Sequence, residues 1–577
     1  MAVLSAALFS IWCVGILGRG FWTPDEPREA DLAWRMSWQA DKAVPLLAGE
    51  AFCEKPPLAY WVAGAAIAQF GASAWAARLP NLLYALITAL SVGFLARRSV
   101  DSLAGLAAAA AISTFLLSYQ VAIWLATDAP LLASVAVALL GAYAGFYARG
   151  TWERLRGYTL MHAALAVGFL SKSAAAWVVP ALAIVTLVVW ERRWRELWRW
   201  ELYLGLSVQA LVILAWVWFV YVGPDGPAHL KVFFWNNLVG RFTHVEAPQE
   251  LQYAAGHRNS PGKYLMELPM YLWPWTLLVI AALRRAWLTR SAPFEERRAV
   301  RFALASSLPA LAVLSLAATA RGIYLAPALP GFALLLAWWT SETIRRADRW
   351  DLRALQATAA LLMVAVLACA AAAVLIGVDA WDRLNSRSGF VAICLLGLAA
   401  AAVLAVHAQT AVRRGRLLRA QFALLLAYCA LLAGPASQLY RQVDAWQNLP
   451  SIGRAIAADA AGRPLILWAP DETTRALIDM YARTSVGLVA GPLDRASIER
   501  LREKVAGDPQ AVVVVQLPGR SVSAAFRRAA AQLGFVLEQA RDTAPDPPAW
   551  ASAIGLQVDR VYELPNGRRY ALLESRP

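Results

Sequence analysis

Charge is what this chain has least of for its length. Across 577 residues, Asp, Glu, Lys and Arg make up 16% and hydrophobic residues 59%. A soluble globular domain carries roughly 25% charged residues, and the apolar surface here exceeds what one soluble core could bury. That excludes an ordinary soluble enzyme and leaves a polytopic membrane protein. Cysteine is also scarce. Cys13, Cys53, Cys369, Cys394 and Cys429 form no Cys-x-x-Cys pair, and four of them fall in apolar stretches, which excludes a disulfide framework and a zinc knuckle. The five histidines show no His-x-x-x-His spacing, so no metal site is enforced. No glycine-rich phosphate cradle is present, and no nucleotide cofactor is expected. The net charge of +15 is dispersed over helix ends instead of forming a basic arm, which argues orientation in a membrane and against nucleic-acid binding. No internal repeat of the kind built into secondary transporters is visible.

What is present is a series of apolar runs near the ~20 residues that cross a bilayer. About thirteen are expected, at 1–18, 79–96, 101–118, 128–148, 157–170, 173–190, 202–222, 264–283, 302–319, 325–341, 354–377, 389–408 and 419–436. The first lacks a basic leader and a small-residue cleavage site, and is expected to remain a membrane helix. The fifth and sixth are separated only by Ser171-Lys172, and merging them would invert everything downstream. Counted from a cytoplasmic N-terminus, the even-numbered loops carry Arg97-Arg98, Arg149 to Arg156, Arg192 to Arg199, Arg284 to Arg301, Arg345 to Arg353 and Arg413 to Arg419, as the positive-inside rule requires. The 26 Trp suit the membrane interfaces. This parity puts loops 19–78 and 223–263 and everything after 436 on the outer face.

The first outer loop concentrates acidic and basic side chains between membrane helices, where polar groups are costly and tend to serve a ligand. Thr23-Pro24-Asp25-Glu26-Pro27 reads as a turn into a helix capped by Thr23 or Asp25. That helix is expected to lie in the interface plane. Leu58 to Phe70 is too short to cross and reads as a second juxtamembrane element, the two together forming a lid over a membrane-level cavity. After residue 436 the composition changes. Aliphatic runs at 463–469, 485–490 and 510–517 alternate with helical patterns near 472–483, 493–506 and 522–534, and Asn566-Gly567 supports a closing hairpin. The chain therefore divides into a transmembrane region, 1–436, and a small soluble α/β domain, 437–577.

Pro24-Asp25-Glu26-Pro27-Arg28-Glu29-Ala30, Glu54-Lys55-Pro56-Pro57-Leu58-Ala59-Tyr60-Trp61 and Ala77-Arg78-Leu79-Pro80 together resemble the lipid A aminoarabinose transferases. These are GT-C glycosyltransferases, a class that includes the protein O-mannosyltransferases. Thr127-Asp128-Ala129-Pro130 and Phe233-Phe234-Trp235-Asn236-Asn237, ending at Arg241-Phe242, extend the resemblance over most of the membrane region. It implies a GT-C fold in the bacterial inner (cytoplasmic) membrane, with active site and C-terminal domain periplasmic. It implies an undecaprenyl phosphate donor carrying 4-amino-4-deoxy-L-arabinose and lipid A phosphate as acceptor. Masking lipid A phosphates in this way would weaken attraction of cationic peptides such as polymyxin.

The chemistry assigns roles within that frame. A polyprenyl-phosphate sugar needs cations on the leaving phosphate and carboxylates near the sugar or acceptor. Lys55, Arg241, Tyr324 and Arg28 are the expected phosphate-binding groups. Asp25 and Asp128 are the expected catalytic carboxylates, with Glu26 as a second acid beside Asp25. A plain N-cap explains Asp128 equally well. A divalent metal ion on Glu54 and His257, or on Glu54 with His244 or His229, is the cofactor these residues admit. Solvated loop histidines account for the same residues. Lys172 reads as a helix end. Two rival readings stand: a GT-C enzyme with a protein or other glycan acceptor, and a non-enzymatic lipid or oligosaccharide transporter.

Overall fold

The computed structural model describes residues 2–23, 25–237, 260–316, 321–380, 386–482, 486–489, 495–517, 551, 555–564 and 566–575. An apolar helix α1 (Ala2–Leu17) leads into α2 (Asp25–Trp38), a hairpin of β1 (Leu46–Leu47) and β2 (Glu50–Ala51), and two short helices, α3 (Leu58–Phe70) and α4 (Ala74–Arg78). The bundle follows as α5 (Pro80–Ser99), α6 (Ser102–Thr114), α7 (Leu116–Ile123), α8 (Asp128–Phe146), α9 (Thr151–Lys172), α10 (Ala175–Trp190) and α11 (Trp200–Val222). After α12 (Gly226–Leu230) come α13 (Lys263–Tyr271), α14 (Thr276–Leu288), α15 (Phe294–Ala305), α16 (Leu308–Ser315), α17 (Leu329–Arg345), α18 (Arg349–Ala380), α19 (Arg387–Arg413) and α20 (Leu417–Leu431).

Among the described residues eight helices are long and apolar enough to cross a membrane, or ten if the bent pairs α6–α7 (66°) and α13–α14 (113°) each make one span. The thirteen expected spans are thus not all met by length and composition. Helices α1 and α10 stop at 16 residues, and α9 carries Glu153, Arg154 and Arg156 in its first turns and Lys172 at its end. The fifth and sixth spans are separate helices, divided at Ser173, where φ is +56°. The helices meet closely where side chains are smallest, as membrane bundles require. A Cβ on Gly157 of α9 would lie 2.3 Å from the Gly145 nitrogen of α8.

The arginine-bearing loops gather at one end of the bundle through ion pairs. Arg98 meets Glu153, Arg345 meets Asp101, Arg284 meets Asp348, and Arg285 meets Asp351. The chain does not break at 436. It passes from α20 through a π-helical turn, Leu432–Ala436, into α21 (Ser437–Trp446) and then α22 (Leu449–Ala460). The sheet begins only at β3 (Leu465–Trp468), followed by α23 (Glu472–Ala482), β4 (Val486–Val489), α24 (Arg495–Gly507), β5 (Val512–Leu517), β6 (Leu556–Glu563) and β7 (Arg569–Ser575). Strand order is β4-β3-β5-β7-β6, with β3 parallel to β4 and β5, and β7 antiparallel to β5 and β6.

Alternation along the strands builds two cores. Leu465, Leu467, Val512 and Val514 pack with Ile452, Ile456 and Ile478. Ile466, Trp468, Val513 and Val515 pack with Leu501 on the other face. The three aliphatic runs and the hairpin around Asn566-Gly567 coincide with these strands; the helix expected at 522–534 lies outside the described residues.

Candidate active site

Glu26 anchors the region. It is fully buried, and its two oxygens take Arg19 Nη2 at 3.0 Å, Arg78 Nε at 2.9 Å, and the backbone N–H groups of Trp22 and Leu125 at 2.7 Å each. Burial pushes its carboxyl up, but the Arg78 and Arg19 guanidiniums prevail and hold it below the ordinary glutamate value. The expectation of a second reacting acid is corrected here, because every acceptor site on Glu26 is occupied by the chain. One residue along a helix turns a side chain by about 100°, so Asp25 points elsewhere. Thr23 does not cap the helix either; its hydroxyl donates to Gln447 Oε1 of the segment after α21 at 2.9 Å.

Helix α2 does not lie against lipid as an interfacial helix. Residues 26–33 and Met36 are buried, with α3 against one side and α23 against another. Close approach to α3 needs Gly64, where a Cβ would come within 2.8 Å of the Ala33 carbonyl oxygen. The polar face of α2 is therefore spent on partners. Arg321 Nη1 donates to Asp25 Oδ1 at 2.7 Å, with Arg28 Nη2 at 3.5 Å from the same oxygen. Arg28 also meets Glu29 at 2.9 Å and Glu472 of α23. Burial works against the Arg28 cation, and Glu29, Glu472, Glu54 and Asp25 more than offset it. Lys55 Nζ donates to Glu29 Oε1 at 2.6 Å, and the Tyr60 hydroxyl donates to Oε2 at 3.0 Å. Burial pushes the Glu29 carboxyl up, yet Lys55 and Arg28 beside it hold it at about 2. Glu29 and Tyr60 line a cleft of about 310 Å³, counting space open to solvent, with Asn81, Tyr84 and Pro130.

Asp128 opens α8, but no side-chain cap bond forms there. Its Oδ1 instead accepts from Lys172 Nζ at 2.6 Å, at the end of α9. The same ammonium sits 4.6 Å from the Tyr324 ring centroid, a cation–π contact. Tyr324 lies in a 3-10 stretch, Gly322–Ala328, that begins just after Arg321. One short backbone segment thus connects the Asp25–Arg321 pair with the Asp128–Lys172–Tyr324 group.

The structure brings Asp25, Arg28 and Lys55 into one cluster and sets Asp128 and Tyr324 beside it. Arg241, His244 and His257 lie outside the described residues. Among the described residues no three His, Cys, Asp or Glu side chains gather to hold a metal ion, Glu54 and His229 included. Lys172, Glu29 and Glu472 were not picked out as site residues from the sequence. Lys172 had a signal, a lone cation at the outer end of an apolar run. Glu472 had none, being 444 positions from Arg28.

Residues 54–218 match the family described as dolichyl-phosphate-mannose-protein mannosyltransferase. A relative from Pseudomonas aeruginosa (strain LESB58), named undecaprenyl phosphate-alpha-4-amino-4-deoxy-L-arabinose arabinosyl transferase, is 30% identical over 373 residues, covering 64% of this chain and 65% of its own length. The protein of the same name from Yersinia enterocolitica is 26% identical over 382 residues, covering 65% of each. The match spans a little under two thirds of these curated relatives. The crystal structure of ArnT from Cupriavidus metallidurans in the apo state superposes with a TM-score of 0.69 at 18% identity, covering 99% of this chain and 97% of that one. Its undecaprenyl phosphate complex gives 0.68 at 19% identity with the same coverage. The chain is thus a multi-pass membrane protein with the GT-C fold of ArnT, related in sequence to the undecaprenyl phosphate aminoarabinose transferases.

Proposed function

We propose that this protein transfers 4-amino-4-deoxy-L-arabinose from undecaprenyl phosphate to a lipid A phosphate at the periplasmic face of the inner membrane. The observation that carries the proposal is the pairing of two carboxylates with two cations, Asp25 with Arg321 and Asp128 with Lys172, across the 321–324 segment. The relatives' printed names supply the donor class. In the reaction an acceptor phosphate oxygen attacks the anomeric carbon, the bond from that carbon to the donor phosphate oxygen breaks, and its electron pair leaves with undecaprenyl phosphate. A phosphate acceptor is already anionic near neutral pH, so no general base is required. Asp25 and Asp128 then orient the sugar and support positive charge developing on it, while Lys55, Arg28 and Tyr324, with Arg241 from outside the described residues, are the groups assigned to the departing phosphate.

Among the described residues the acids Asp25, Glu29, Glu54, Glu472 and Asp128 face the cations Arg28, Lys55, Arg321 and Lys172. Carboxylates placed beside the sugar, Asp25 and Asp128, suit one that bears an ammonium group. The match to the mannosyltransferase model over 54–218 favours one second reading, a prenyl-phosphate sugar donor with a protein acceptor. Mass spectra of lipid A from cells with and without the protein decide between them. A gain of one pentosamine that depends on the protein is expected; unchanged lipid A together with glycosylated protein would overturn the proposal in favour of the second reading.

A further inference from the structure

Helix α23 lies along α2 with two ion pairs in register. Arg28 meets Glu472, and seven residues further on in both helices Arg35 meets Asp479, with Arg35 Nε 2.7 Å from Asp479 Oδ2. Asp31 stands one turn before Arg35 and is fully buried. Its Oδ2 accepts from the Ala48 N–H at 2.8 Å, with Arg35 Nε at 3.7 Å. Its Oδ1 is buried and receives no hydrogen bond. The nearest other acid is Asp479, which shares the Arg35 guanidinium with Asp31.

A carboxylate oxygen can only accept, whereas a neutral carboxylic acid can donate. Two carboxylates sharing one guanidinium in a buried site favour a single proton between them. The arrangement that satisfies the buried Asp31 oxygen is a neutral Asp31 whose O–H donates to Asp479, beside the Arg35–Asp479 pair. The ionisable groups bearing on Asp31 are Arg35 on its own helix and Asp479 on α23. Arg475 of α23 is taken by Glu50 of β2, and the turn between β1 and β2 offers only the Ala48 amide.

We propose that Asp31 is a positioning residue for the transfer reaction: as a neutral acid donating to Asp479 it holds α23 on α2 and so keeps Glu472 on Arg28. The link to turnover rests on the function proposed above; the docking does not. Burial pushes the Asp31 carboxyl well above the usual carboxylate range, and the Asp479 charge adds to that. A carboxyl whose pKa rises on docking binds its proton more tightly docked than free. Docking is therefore strongest at low pH and is lost as pH climbs through the raised value.

The test uses the full-length protein in lipid nanodiscs from about pH 5 to about pH 9. Hydrogen exchange of the α23 amides, corrected for the intrinsic pH dependence of exchange, is read beside kcat and KM. In the wild type, α23 protection and kcat should fall together by about tenfold or more as pH rises, a tenfold change being ~1.4 kcal/mol. Asp31→Asn replaces the O–H donor with an amide and should flatten both profiles. Asp31→Ala should lower both throughout the range. Wild-type protection that does not change with pH, or an Asp31→Asn protein that tracks the wild type, would overturn the proposal. If the wild type transfers no sugar at all, the functional reading fails, and the exchange profiles still decide the docking.

Discussion

Asp25 and Glu26 are consecutive acids in the first turn of one helix, yet their surroundings differ in every respect that matters to chemistry. The Asp25 side chain is 28% exposed and pairs with an Arg321 side chain that is 56% exposed. Glu26 has no exposed surface and binds two guanidiniums that are themselves sealed. An open pair can exchange its partner for a substrate at little cost. A sealed triad cannot, because removing one member strands the others in a low-dielectric interior.

Four measurements would sharpen or break that contrast. Glu26→Ala leaves Arg19 and Arg78 buried without their carboxylate and is expected to cost about 3–5 kcal/mol, seen as a large drop in the unfolding midpoint or as loss of folded protein. A Glu26→Ala protein as stable as wild type would remove the distinction. Asp25→Asn should lower kcat by about 10²–10³-fold, the worth of one electrostatic contact to charge developing in the transition state, while changing stability by only about 0–1 kcal/mol, the worth of an exposed pair; steady-state turnover and thermal unfolding on the same preparation check both halves.

Acid titration probes the ground between them. Glu29 is held at about 2, so its contribution is complete above the ordinary glutamate value of ~4.3 and is lost as pH falls from there towards about 2. Glu29→Gln should therefore flatten that part of the unfolding profile; an unchanged acid limb would show that Glu29 does not cause it. Smallest of all, Arg98→Ala breaks a surface pair at the other end of the bundle and should move stability by less than about 1 kcal/mol with turnover intact.

The strands and the long apolar helices were legible because they rest on local pattern, alternation in one case and apolar length in the other; the count of thirteen spans was not met, because α1 and α10 are short and α9 carries charge. That Asp25, Arg28 and Lys55 gather in one cluster was foreshadowed by charge concentrated in a single loop between membrane helices. The surroundings of Glu26 were not, since nothing in the Asp-Glu pair says which acid turns inward; that is decided by Arg19 and Arg78, residues from two other segments. The boundary at 436 misled because the change in composition falls within a continuous helical run from α20 into α21, and Asp444 and Gln447 then tie that run to Gly20, Trp22 and Thr23. Glu472 was invisible for a related reason: its role depends on how α23 sits on α2.

That seat has only one setting. With rungs at Arg28–Glu472 and Arg35–Asp479, sliding α23 by a single helical turn, about 5.4 Å, would misalign both contacts at once. An intermediate, half-engaged position would gain neither. Helix α23 should therefore seat on α2 like a two-pin plug, either home or out, and a one-residue insertion between Arg28 and Arg35 would leave those two rungs unable to engage together.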